Sequence, residues 1–126
     1  MDTTLELIHL HPAQSESINY DFLALKVRVP ARLDIVKSHE LWILFSTITN
    51  AGAKKIMVDM SSMESIDSSG IGILINTAKR LRAGKGDIVL TGVSADIKKI
   101  FKVVNLQDFI KIFSLEAEAL NFFRYL

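Results

Sequence analysis

Ile66-Asp67-Ser68-Ser69-Gly70-Ile71-Gly72-Ile73-Leu74 is the stretch on which the fold turns. A short apolar strand, Ile56-Met57-Val58-Asp59-Met60, and a loop from Ser61 to Ser65 precede it, and an amphipathic helix reaching about Arg82 follows. Asp67, Ser68 and Ser69 are residue types that cap a helix N-terminus, because their side-chain oxygens accept the unpaired N–H groups of the first turn. Gly70 and Gly72 are expected to leave that turn bare, so that another surface or a phosphate can approach the backbone. The unit is a strand–loop–helix that offers serine hydroxyls at the positive end of a helix dipole.

The chain on either side alternates between strand and helix patterns. Leu5 to Leu10 and Tyr20 to Val29 read as two strands, hairpin-paired across the turn-rich residues 11–19. Pro30 cannot donate to a ladder and ends the second. Ala31-Arg32-Leu33-Asp34 turns into a helix with a core stripe at Leu41, Leu44, Phe45 and Ile48, flanked by Trp42 and Ile43 and closed by Asn50-Ala51-Gly52. Ile56 to Met60 is apolar on both faces, as an interior parallel strand is. In the helix after the serines, the expected buried face is Ile71, Leu74, Ile75, Ala78 and Leu81. The opposite face holds Ser69, Gly72, Ile73, Asn76 and Arg80.

Ile88 to Leu90 is a further buried strand. Ser94 is the expected cap of a helix whose core face is Ile97, Ile100, Phe101 and Val104. A strand at Phe109 to Phe113 and a last helix follow, the helix capped by Ser114 with a stripe at Ala119, Phe122, Phe123 and Leu126. The order β-β-α-β-α-β-α-β-α predicts an α/β domain with a mostly parallel sheet and right-handed crossovers. At 126 residues it is most simply one domain, residues 1–126.

Composition narrows the function classes. Apolar residues are 49% and charged residues 23%, ordinary for a globular core and against disorder. No apolar run approaches the ~20 residues that span a bilayer, and the N-terminus carries no signal-peptide pattern, so a cytoplasmic protein without a membrane partner is expected. With no cysteines, disulfides, thiol catalysis and cysteine-bound metals are excluded. Net charge is +1 but uneven. Residues 1–24 carry Asp2, Glu6, Glu16 and Asp21 without Lys or Arg, whereas residues 79–102 carry Lys79, Arg80, Arg82, Lys85, Lys98, Lys99 and Lys102 against Asp87 and Asp96. No aromatics interleave with these cations to stack bases, so they read as solvated helix faces and not as a nucleic-acid site.

Catalysis finds little support. His9, His11 and His39 are the only histidines, and no carboxylate pair at helical spacing joins them as metal ligands. Ser68 lacks a Gly-x-Ser-x-Gly frame, and nothing places a histidine near Asp34, Asp59 or Asp67. A phosphate-binding Gly-x-x-x-x-Gly-Lys-Ser/Thr loop is absent. What remains is a serine poised for modification. A phosphate on Ser68 would add about −1.5 to −2 charges, tolerated by free amides and the dipole at a helix start and felt by whatever docks there. The plainer reading is that Ser68 only caps. Ile73, one turn after Ser69 on the polar side, is a candidate anchor for a protein contact.

Val58-Asp59-Met60-Ser61-Ser62-Met63-Glu64-Ser65-Ile66-Asp67-Ser68-Ser69-Gly70-Ile71-Gly72 resembles the strand, loop and Asp-Ser-Ser/Thr-Gly-Leu-Gly signature of the STAS domain, most closely the small bacterial anti-sigma factor antagonists. Ser94 to Leu106 is similar to that family's third helix and following turn. The resemblance implies an α/β STAS fold: a mixed, mostly parallel sheet of four to five strands with helices mainly on one face. It also implies a non-enzymatic switch without a cofactor of its own. Unphosphorylated, such a protein binds a partner that is both anti-sigma factor and serine kinase, and frees the sigma factor. Phosphorylation of the serine corresponding to Ser68 releases it, and a serine phosphatase resets it. Nucleotide and magnesium belong to the kinase. Asp34 matches the family's partner-contacting aspartate, and Ser69 its second Ser/Thr position. With Asp67, Gly70, Gly72, Ile73 and Asn76 they form the expected partner-binding set. Ala31 stands where the family usually has Gly. STAS domains also serve as constitutive subunits of signalling or transport assemblies, the alternative to a phospho-switch.

Overall fold

The computed structural model describes residues 3–10 and 22–126. In chain order the elements are β1 (Thr4–His9), β2 (Leu23–Arg28), β3 (Arg32–Leu33), α1 (Ile35–Asn50), β4 (Lys55–Asp59), β5 (Ser65–Ile66), α2 (Ser68–Ala83), β6 (Asp87–Thr91), α3 (Ala95–Val103), β7 (Lys111–Phe113) and α4 (Glu116–Arg124). The expected turn at 11–19, with His11 and Glu16, lies outside the described residues, as do Asp2, Tyr20 and Asp21.

β4 lies at the centre because it is apolar on both sides. Ile56, Met57 and Val58 are all fully buried, which only an interior strand achieves. The five-stranded sheet runs β1-β2-β4-β6-β7. β1 pairs antiparallel with β2, and the remaining neighbours are parallel. The side-chain period of two then sorts the core. Ile56, Val58, Ile88 and Leu90 pack with Leu41 and Phe45 of α1, Leu74, Ala78 and Leu81 of α2, and Ile97 and Phe101 of α3. Met57, Val89 and Ala24 face the other way, against Ala119 and Phe123 of α4. Among the described residues, three helices therefore cover one face and one short helix the other, the mixed sheet with helices mainly on one face that the family resemblance implied. α4 buries few side chains, but polar ties hold its end: Lys55 Nζ donates to the Phe123 carbonyl (3.0 Å) and Arg124 Nε to that of Leu10 (2.9 Å).

Several local expectations shift. Ile100 and Val104 are exposed, because Leu106 and Ile110 from the following turn fill the core beside Ile97 and Phe101. The strand expected from Phe109 begins only at Lys111, since Leu106–Asp108 winds as a 3₁₀ turn and the Leu106 carbonyl accepts from both Phe109 and Ile110 N–H. Ser114 does not cap the last helix. Leu115 is the cap residue, and its N–H donates to the Glu118 carboxylate (3.1 Å). Leu126 lies beyond the helix end and is exposed. On α2, Thr77 and Gly70 are buried where Ile71 and Ile75 are only half-buried.

Candidate functional site

The serine loop is held by a two-stranded ladder that has no sequence period to announce it. β3 pairs parallel with β5, Arg32 opposite Ser65 and Leu33 opposite Ile66. The Ala31 carbonyl accepts from the N–H groups of Glu64 (2.6 Å) and Ser65 (3.1 Å), and that of Leu33 accepts from Asp67 N–H (3.3 Å). Lys85 and Asn105 are the non-glycine residues with positive φ among those described, so Ala31 occupies backbone open to any L-residue and the missing glycine is accommodated.

One residue beyond each strand stands an aspartate, and each caps a helix. Asp34 Oδ1 accepts from Val36 N–H (3.1 Å) and Lys37 N–H (3.0 Å) at the start of α1. Asp67 Oδ1 accepts from Ser69 N–H (2.9 Å) and Gly70 N–H (3.2 Å) at the start of α2. The ladder register therefore sets two helix N-termini, and two carboxylates, side by side. Of the three residues expected to share the capping of α2, Asp67 does it. Ser68 is the first helical residue, exposed, and Ser69 the second, half-buried. The two amides that a phosphate on Ser68 was expected to find free already serve Asp67.

The remaining expected site residues separate. Gly70 is buried, and a Cβ there would stand 2.8 Å from Ile66 Cγ1 and 2.8 Å from Leu33 Cδ2. Its bareness faces inward, to let α2 sit on the β3–β5 ladder, and does not offer a partner its backbone. Gly72 is the outward one, with open space where a side chain would be. Ile73 is half-buried and packs against the main core, so it is not a free-standing anchor. Asn76 is exposed. Sequence patterning missed Ile35 and Val36, which stand 70% and 63% exposed directly after the Asp34 cap. An apolar pair at N1 and N2 of a helix capped by aspartate was the available signal.

A charged group anchors the approach to the loop. Asp59, at the end of β4, accepts from Arg28 Nε (3.2 Å) and from Ser61 N–H (2.9 Å). Burial raises its pKa, but the Ser61 hydrogen bonds and the Arg28 guanidinium outweigh burial and hold the carboxyl below the ordinary 3.8. Gly92 (φ +67°) leaves room for this group, since a Cβ there would meet Asp59 Oδ1 at 3.1 Å. Lys26 bridges to Glu116 at 3.1 Å nearby. Among the described residues no cluster of three or more His, Asp or Glu is placed to hold a metal ion, and no helix is long and apolar enough to cross a membrane.

Residues 14–119 match the STAS domain. The chain belongs to the STAS domain family. A Thermotoga neapolitana homologue of TM1081 is 30% identical over 91 residues, covering 71% of this chain and 80% of that protein. The anti-sigma-B factor antagonist of Staphylococcus aureus is 26% identical over 87 residues, 69% of this chain and 81% of its own length. The fold of this STAS domain is also that of the anti-sigma factor antagonist SpoIIAA in its unphosphorylated form (TM-score 0.67, 21% identity, 98% and 100% of the two chains covered). The phosphorylated form of the Bacillus protein superposes with a TM-score of 0.63 at 21% identity, over 94% and 97% of the chains.

Proposed function

We propose that this STAS protein, one domain over residues 1–126, is a cytoplasmic anti-sigma factor antagonist switched at Ser68. Unphosphorylated, it binds an anti-sigma factor that is also a serine kinase and thereby frees a sigma factor. Phosphate transfer to Ser68 ends the complex, and a serine phosphatase restores it. The chain contributes the acceptor hydroxyl and the docking surface, and the kinase contributes nucleotide and magnesium. The observation that carries this reading is the placement of Ser68: exposed, first in its helix, and beside two aspartate caps.

That placement gives the switch its physics. Asp67 already takes the Ser69 and Gly70 amides, so a phosphate on Ser68 adds to two neighbouring carboxylates and projects outward. A partner seated there would have to desolvate an uncompensated dianion, a cost of about 2–5 kcal/mol. The helix dipole limits the cost to the fold itself. The relatives support the reading, one being named an anti-sigma-B factor antagonist and another solved with and without its phosphate. With ATP and the purified anti-sigma factor kinase of the same organism, intact mass should rise by one phosphate, and Ser68→Ala should abolish the gain. Phosphate appearing on Ser69, or on no residue, would refute the assignment.

A further inference from the structure

Between α1 and α2 runs a groove of ≈470 Å³ lined by Trp42, Ser46, Asn50, Asn76, Lys79 and Arg80. Its size falls within the ~300–1,000 Å³ of sites that take a small ligand or a few side chains. Two features set its chemistry. Trp42 is 44% exposed, yet its ring is stacked on His39, with 6.3 Å between centroids and 14° between planes. Arg80 donates to Ser46 Oγ (2.9 Å) and Asn50 Oδ1 (2.8 Å), two neutral acceptors that position the guanidinium without offsetting its positive charge. Lys79 adds a second, exposed cation, and no carboxylate is among the lining residues.

The groove also continues the switch surface. Ser69, Ile73, Asn76 and Arg80 follow one another at helical spacing along one side of α2. Asn76 therefore lies about 10 Å along the axis from the serine loop. The helix starts, capped by Asp34 and Asp67, are acidic, and the groove further along the two helices is basic and aromatic.

We infer that this groove receives a segment of the kinase partner carrying a carboxylate beside an apolar side chain, with Trp42 as the apolar anchor and Lys79 and Arg80 as the cationic seat. The occupant follows from charge complementarity and from continuity with the serine loop, and the inference rests on the switch reading above for its partner. Aromatic anchors of this kind carry a large share of interface energy, and an exposed cation such as Lys79 acts mainly on association rate and its salt dependence.

Trp42 is the only tryptophan in the chain, so incorporating 5-fluorotryptophan gives a single ¹⁹F resonance that the partner does not obscure. Titrating the purified anti-sigma factor kinase should shift that resonance and shield it from solvent. Trp42→Ala should weaken the complex by about 30-fold or more, and Lys79→Glu by about 10-fold with a shallower salt dependence. Lys79 is exposed, so its variant tests the groove even if Trp42→Ala perturbs the fold. A complex that Ser68→Asp disrupts, but that leaves the ¹⁹F signal unmoved and tolerates both groove variants, keeps the switch and overturns the groove. No complex and no phosphate transfer with wild type overturns both. A ¹⁹F shift that tracks the chain's own concentration, without kinase, assigns the groove to a second copy and overturns the proposal.

Discussion

The starts of α1 and α2 use the same device and display opposite chemistry. Each follows a two-residue strand of one small ladder, and each is capped by an aspartate that accepts two amides at 2.9–3.2 Å. After its cap, α1 shows solvent two apolar side chains, Ile35 and Val36, and α2 shows a hydroxyl, Ser68. The caps are thus shared architecture. Under the proposed switch, a partner would meet the first residue or two of each helix: a constant apolar patch on one, and on the other a hydroxyl to which charge could be added.

The largest expected effect tests that division directly. Ser68→Asp should reduce kinase binding by about 30- to 100-fold, corresponding to roughly 2–3 kcal/mol, while leaving the unfolding midpoint near that of wild type. Calorimetry for binding and urea denaturation for stability separate the two. A variant that binds normally would erase the functional difference between the helix starts.

Next comes the pair of glycines. Gly70→Ala forces a methyl against Ile66 and Leu33 and should cost about 1–3 kcal/mol of stability. Gly72→Ala meets open space and should gain up to about 1 kcal/mol from helix propensity. Equal losses in urea unfolding would mean that α2 does not rest on the ladder as described.

The caps themselves should each be worth about 1 kcal/mol on replacement, Asp34→Ala and Asp67→Ala alike. Phosphorylation distinguishes them. In the Ser68-phosphorylated protein Asp67→Ala should cost less, because the phosphate can then take the freed amides, whereas the Asp34→Ala penalty should not fall in the same way. Thermal unfolding of six species, wild type and the two variants each with and without phosphate, checks this coupling.

The smallest effect concerns Asp59, which ties the end of β2 through Arg28 and the approach to α2 through Ser61. The lowered pKa of Asp59 contributes stability fully above the ordinary 3.8, and loses it as pH falls through the folded-state value. Asp59→Asn should remove that part of the acid dependence and loosen the Ser61 turn. An unchanged stability difference between pH 6 and pH 3 would show that Asp59 does not hold the loop through its charge.

Much of this was legible in the chain because it is local or periodic. Ile56-Met57-Val58 announced an interior strand by being apolar on both faces. Asp67-Ser68-Ser69 announced a helix start, because capping depends on residues two or three apart. The Asp-Ser-Ser-Gly signature led to the family for the same reason: its residues are contiguous. Which of three candidate caps acts, however, was settled by geometry that left the Ser68 hydroxyl outside.

Only the tertiary structure could pair Arg32–Leu33 with Ser65–Ile66, since strands of two residues carry no period to read. That pairing turned Gly70 from an outward opening into an inward necessity and drew Asp34 beside Asp67. The packing of α1 beside α2 put Trp42 and Arg80 in the walls of one groove, and Ile35 and Val36 stayed in solvent. Patterns along a chain specify what each residue prefers next to its sequence neighbours. Which surfaces end up touching is decided by backbone pairings between segments some thirty residues apart, and those depend on packing the whole core at once.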